Sequence, residues 1–76
     1  MSTELHIPSL GAGMSEGKIV SWHAADGATV KVGDLLYTLE SEKTAQDVEA
    51  QDAGTLRIIA AADEIYPVGE LIGRIE

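Results

Sequence analysis

Lys43 is the single cation in TLESEKTAQDVEA, residues 38–50, where Glu40, Glu42, Asp47 and Glu49 surround it. A lysine amine becomes a nucleophile when burial or a neighbouring cation lowers its pKa. The carboxylates around Lys43 do the reverse and favour the ammonium, so the residue is not set up for unaided Schiff-base chemistry. Two roles remain: a salt-bridging lysine in a solvated acidic segment, or an amine offered to another enzyme for acylation, which removes its charge. The other candidate chemistry is thin. His6 and His23 stand alone, with no second ligand at metal spacing. There is no cysteine, no nucleophile–base pair and no phosphate loop, so the chain does not read as an enzyme in its own right.

The elements that must position Lys43 are strands. Apolar residues make up 45% of the 76-residue chain, enough for one small folded domain spanning 1–76. They follow no helical period. Short runs punctuated by glycine predict strands at 3–8, 18–23, 35–40, 44–49, 55–60 and 71–75, with briefer extended pieces near 28–31 and 64–67. Leu35, Tyr37 and Leu39 alternate with Leu36, Thr38 and Glu40, so the first set is expected on the apolar face. Phenylalanine is absent, and the core is expected to be Ile, Leu, Val and Ala, with Trp22 as partly buried packing.

A repeat organises these strands. GKIVSWHAADGATVKVGDLLYTLE aligns with GTLRIIAAADEIYPVGELIGRIE. Gly17 matches Gly54, Ile19 matches Leu56, Val32-Gly33-Asp34 matches Val68-Gly69-Glu70, and Leu36, Leu39 and Glu40 match Ile72, Ile75 and Glu76. The second copy is one residue shorter, and the loss is expected between Ala61 and Glu64, opposite the turn glycine Gly27. Neither copy can bury a core alone, so the two are expected to pack face to face about a pseudo-two-fold axis. The hairpin at 41–43 then has as its symmetry partner the gap between the two termini, and the two project from opposite ends. Ser41-Glu42-Lys43-Thr44 suits a type I turn with Lys43 at its third position.

The charge narrows the partners. The formal net charge is −8, from thirteen carboxylates against five cations, which opposes nucleic-acid binding and favours basic protein surfaces. No apolar run reaches membrane-spanning length, and MSTELHIPS lacks the regions of a signal peptide, so no membrane role is expected.

With these motifs in place, the whole chain resembles a lipoyl domain of the 2-oxo acid dehydrogenase E2 type, in the biotinyl/lipoyl attachment family. PSLGAGMSEGKIVSW, residues 8–22, is similar to the family's opening segment, and DGATVKVGDLLYTLESEKT to its central turns and modified hairpin. AGTLRI and PVGELIGRI resemble the second half. The resemblance implies an all-β flattened barrel or sandwich of two four-stranded antiparallel sheets. It also implies lipoic acid amide-linked to Lys43, acting as a swinging arm that carries acyl groups and reducing equivalents. The implied partners are a lipoate-attaching enzyme, the thiamine diphosphate-dependent E1 decarboxylase, the E2 acyltransferase core and the E3 dihydrolipoamide dehydrogenase. The domain itself is expected to be monomeric, in the cytoplasm or, if excised from a eukaryotic precursor, in the mitochondrial matrix.

Recognition residues implied around the lysine are Glu40, Ser41, Glu42 and Thr44 on the hairpin, and Gly11, Met14 and Glu16 on the loop 11–17. The chain departs from the family's Asp-Lys-Ala triplet, having Glu42-Lys43-Thr44. A biotinyl carrier shares the fold and the lysine, but its hairpin has methionines on both sides. An unmodified barrel used as an interaction module generally lacks the lysine.

Overall fold

The computed structural model describes residues 2–11, 13–42 and 44–76. The described chain forms β1 (Thr3–His6), β2 (Glu16–Trp22), β3 (Thr29–Val30), β4 (Leu35–Glu40), β5 (Ala45–Glu49), β6 (Gly54–Ile58), β7 (Glu64–Pro67) and β8 (Leu71–Ile75). They make two four-stranded antiparallel sheets, in the orders β1-β8-β6-β3 and β5-β4-β2-β7. Each sheet keeps free edges, so the flattened barrel is an open sandwich.

The two orders interconvert when β1, β8, β6 and β3 are exchanged for β5, β4, β2 and β7, which is the two-fold that the repeat predicts. Matched positions share burial. Ile19, Leu56, Leu36, Ile72 and Leu39 are fully buried and Ile75 nearly so, each burial contributing about 1.5–3 kcal/mol. Matched turns share geometry as well. Gly33 N donates to Ala50 O and Gly69 N to Ile7 O, both at 2.9 Å. Both glycines sit at φ near +92°, where a side chain would be strained (92° and 93°). Ala50 and Ile7, aligned by these bonds, close the core from the two sides.

Two expectations need correction. The residue missing from the second copy is the mate of Val20, not one between Ala61 and Glu64. The β2–β4 register steps from Ile19↔Leu39 to Ser21↔Thr38, leaving Val20 as a bulge. The β6–β8 register runs through Leu56↔Ile75 and Arg57↔Arg74 without a break. Gly27 keeps a counterpart in Asp63: Gly27 N donates to Leu56 O, Asp63 N to Ile19 O, and Asp63 takes φ +64°. Aspartate tolerates that left-handed conformation better than most residues.

The second correction concerns β4. Its alternation breaks at another register shift, between Leu35 and Tyr37. Leu36, Tyr37 and Leu39 are therefore buried while Leu35 faces outward. Tyr37 is thus a large core residue beyond the aliphatic set. Trp22 packs against it at a ring-centroid distance of 5.0 Å and donates its indole N–H to Ala60 O at 2.9 Å.

Candidate functional site

Strands β4 and β5 form the hairpin expected to carry the chemistry. Glu40 pairs with Ala45 at the end of the ladder. Beyond it, Ser41 N donates to Thr44 O at 2.7 Å, and Ser41 Oγ to the same carbonyl at 3.2 Å. Residues 42 and 43 connect this closed pair. Lys43 lies outside the described residues, and the expected type I turn involves it. Its neighbours are described: Glu40, Glu42, Thr44 and Ala45 are all exposed. The outer strand β5 is exposed along its length apart from the partly buried Val48. The described residues on both sides of position 43 are therefore open to solvent rather than packed on the core.

The connection 7–15 folds back beside this hairpin. Leu10 N lies 3.1 Å from Met14 Sδ, and Ser9 Oγ donates to Gly11 O at 3.0 Å. Ser15 O accepts from Val68 N at 3.0 Å, which ties the loop to the end of β7. Met14 then lies over Gly17. A Cβ on Gly17 would come within 2.8 Å of Leu39 Cδ1 and 2.9 Å of Met14 Cε. Gly17 is needed there because the loop's methionine and the core leucine occupy the space above it.

Loop and hairpin face each other across an open cleft of about 780 Å³. Gly11, Met14, Glu16, Glu40, Ser41, Glu42 and Thr44, the residues singled out in the sequence, all line it. Met14 has a second job, since it also packs against the core.

Leu10, Lys18 and Ile65 line the cleft too, and sequence reasoning did not place them there. Lys18 and Ile65 are directly opposite on β2 and β7. Lys18 Nζ is held 3.1 Å from Asp63 Oδ1, whereas Ile65 stays 60% exposed. The repeat did carry a signal for Ile65, because it aligns with Thr29 and is apolar in only one copy. Glu16, Glu40 and Glu42 line the same space, so the cleft is acidic with an apolar side.

The histidines lie away from the cleft. His6 Nδ1–H donates to Gly69 O at 2.9 Å, and His23 Nε2 is 2.6 Å from Thr38 Oγ1, which itself donates to Asp47.

The chain is similar in sequence to known proteins over most of its length. The chain is 38% identical over 76 residues to the dihydrolipoyllysine-residue succinyltransferase component of the 2-oxoglutarate dehydrogenase complex of Rickettsia felis, covering 99% of this chain and 19% of that protein. It is 40% identical over 68 residues to the dihydrolipoyllysine-residue acetyltransferase component of the acetoin cleaving system of Cupriavidus necator, covering 88% and 18%. It is 34% identical over 74 residues to the dihydrolipoyllysine-residue acetyltransferase component of the pyruvate dehydrogenase complex of Zymomonas mobilis, covering 95% and 17%. The chain therefore spans less than a fifth of the length of these relatives. The family pattern described as biotin-requiring enzyme, covering biotin and lipoyl attachment, matches residues 3–75. With that match across nearly its whole length, the chain belongs to the biotin/lipoyl attachment family.

Proposed function

We propose that the chain is a lipoyl carrier domain in which lipoic acid is joined through an amide to Lys43. The observation that carries this reading is the hairpin itself. Ser41 and Thr44 close it backbone to backbone, Lys43 is the lysine between them in sequence, and the flanking side chains are exposed rather than packed. The relatives named for a dihydrolipoyllysine residue support lipoate over biotin. So do Glu42 and Thr44, which stand where a biotinyl hairpin has methionines.

Once attached, lipoic acid supplies a dithiolane that takes up an acyl group and reducing equivalents. The chain's own residues present and identify the arm. The ladder of β4 and β5 ends in the closed pair of Ser41 and Thr44, and Glu40 and Glu42 put carboxylates beside the attachment point in sequence. The domain is non-catalytic in this reading. It serves E1, E2 and E3 sites of a 2-oxo acid dehydrogenase complex, as a monomeric module in the cytoplasm or the mitochondrial matrix. Tethering such a module to the complex gives the arm an effective concentration on the order of millimolar.

The test is the intact mass of the protein from cells supplied with both lipoate and biotin, followed by peptide mapping. A lipoyl mass on Lys43 that vanishes in Lys43→Ala is the expected result. A biotinyl mass at the same residue replaces acyl transfer with carboxyl transfer. An unmodified chain from cells with competent ligases overturns the carrier reading.

A further inference from the structure

Two positions in a pseudo-symmetric molecule that share backbone but not side-chain character mark where something other than folding has acted. Core mates diverge only where packing accounts for it: Ile19 and Leu56, Leu36 and Ile72, Leu39 and Ile75 are all buried aliphatics, and Tyr37 is set against Gly73, over which Trp22 reaches. The pair facing the cleft diverges without such a cause. Lys18↔Ile65 on β2 and β7 corresponds to Thr55↔Thr29 on β6 and β3, and the loop 7–15 corresponds to the shorter 50–53. Beside the hairpin, then, a 60% exposed isoleucine stands where its symmetry mate is a polar threonine, and the longer loop brings Leu10 and Met14 to the same cleft. Exposing isoleucine on an edge strand contributes nothing to the core and invites association.

We propose that Ile65, with Leu10 and Met14, forms the apolar half of a docking cleft for the enzyme that attaches the acyl group to the hairpin lysine. That enzyme presents an aliphatic or aromatic side chain flanked by lysine or arginine. The inference rests on the carrier reading above. The charge pattern selects the flanking groups: Glu16, Glu40 and Glu42 line the cleft, Lys18 is already neutralised by Asp63, and the chain carries −8. Reach selects this enzyme among the partners. An enzyme acting on the lysine amine must bring its active site within one side chain of the hairpin backbone, and the cleft is lined by that hairpin's own Glu40, Ser41, Glu42 and Thr44. A partner acting at the far end of a finished arm can dock elsewhere. An apolar anchor in an acidic frame also separates the tasks of affinity and encounter rate.

The test is the rate at which the full chain gains lipoyl mass from lipoate, ATP and a purified lipoate ligase, for wild type, Ile65→Thr, Ile65→Leu and Thr29→Ile. Ile65→Thr installs the residue of the symmetry mate. It is expected to lower kcat/KM about tenfold, mainly through KM, with thermal stability within a few degrees of wild type. Ile65→Leu is expected to retain the rate, and Thr29→Ile at the other end to leave it unchanged. Raising the salt concentration is expected to slow wild type and Ile65→Thr alike, through the carboxylates. Wild-type kinetics for Ile65→Thr overturn the proposal, and a drop in acylation by a decarboxylase alone reassigns the cleft to that partner and overturns it equally. A wild-type chain that no ligase modifies defeats the carrier reading instead, and this inference falls with it.

Discussion

At one end of the molecule Gly17 sits under Met14 and Leu39, Ile65 lies open beside a hairpin, and a long loop folds over the strand ends. At the symmetry-related end Gly54 sits under Ile75 and the backbone of Glu76, the mate of Ile65 is Thr29, and Thr3 Oγ1 is tied to Asp52 at 2.7 Å. The first end is walled by side chains that can shift. The second is walled by main chain, because the last strand's exit passes directly over β6. One end is therefore suited to adapting to a visitor, the other to holding the chain's two ends together, with Thr3 paired to Ile75.

Alanine at the two matched glycines separates the ends most sharply. In Gly54→Ala the new methyl overlaps the Glu76 carbonyl oxygen and lies 2.9 Å from Ile75 Cγ2. Backbone cannot yield locally, so a loss of about 3 kcal/mol or more in urea unfolding is expected. In Gly17→Ala the obstacles are Leu39 Cδ1 and Met14 Cε, the far ends of flexible side chains. About 1–1.5 kcal/mol is expected there, with the larger consequence being displacement of Met14 from the cleft. Equal losses in the two variants would mean that the ends are equally rigid.

The halves also differ in the core. Tyr37 and Gly73 are mates, and the ring that Tyr37 supplies on one side is matched on the other by Trp22 reaching over Gly73, where a Cβ would stand 3.5 Å from Trp22 Cη2. Burial pushes the Tyr37 phenol up to about 12. A phenol with a raised folded-state pKa favours the folded state fully below its unfolded value, near 10, and loses that stability as pH rises through about 12. Because nearby solvent screens the phenol in part, the expected loss is about 1–2 kcal/mol across that window, read as a falling unfolding midpoint. Tyr37→Phe should remove this component while leaving the profile near neutrality unchanged in slope. An unchanged alkaline slope would mean that the phenol reaches water.

What was legible in the chain follows from how each feature is encoded. Strands and the two-fold were readable because glycine spacing and apolar runs recur at matched intervals, and a hairpin lysine is visible wherever a lone cation separates two strands. The bulge at Val20 was not. An extra valine inside an apolar strand has the composition of the strand, and only the pairing register reveals it. The same holds at Leu36, where a register shift turns two consecutive apolar residues inward. Ile65 was legible only in part: the repeat sets it against Thr29, but in EIYP either the isoleucine or the tyrosine could face the core, and the pairing of Lys18 with Ile65 decides it.

A smaller contrast lies at the tight turns. Gly27 and Asp63 are mates with φ of +86° and +64°. Gly27→Ala places a β-carbon in the left-handed region and is expected to cost about 1–2 kcal/mol. Asp63→Gly relieves that strain and loses only an exposed ion pair with Lys18. Its stability should stay within about 0.5 kcal/mol of wild type. A large loss in Asp63→Gly would make the Lys18–Asp63 contact a structural anchor of the cleft wall rather than a neutralising pair.

The smallest effect belongs to the end that holds the termini. The Asp52 carboxyl is held below the usual carboxylate range, first by the Thr3 hydroxyl and then by the Ala53 N–H. A depressed folded-state pKa contributes stability that is present above the unfolded value, near 4, and is lost as pH falls through the folded value. Acid should therefore loosen this end through Asp52, and Thr3→Val should flatten that part of the melting profile between neutral and strongly acidic pH. Because the carboxyl is fully exposed, the change will be a slight one in the midpoint. Amide exchange is the sharper readout: Thr55 N, which donates to Glu76 O, should exchange faster as Asp52 protonates, while Ser41 N at the hairpin should not respond. Equal acceleration at both amides would show that the pin between Thr3 and Asp52 acts on the whole sandwich, and that the two ends open together.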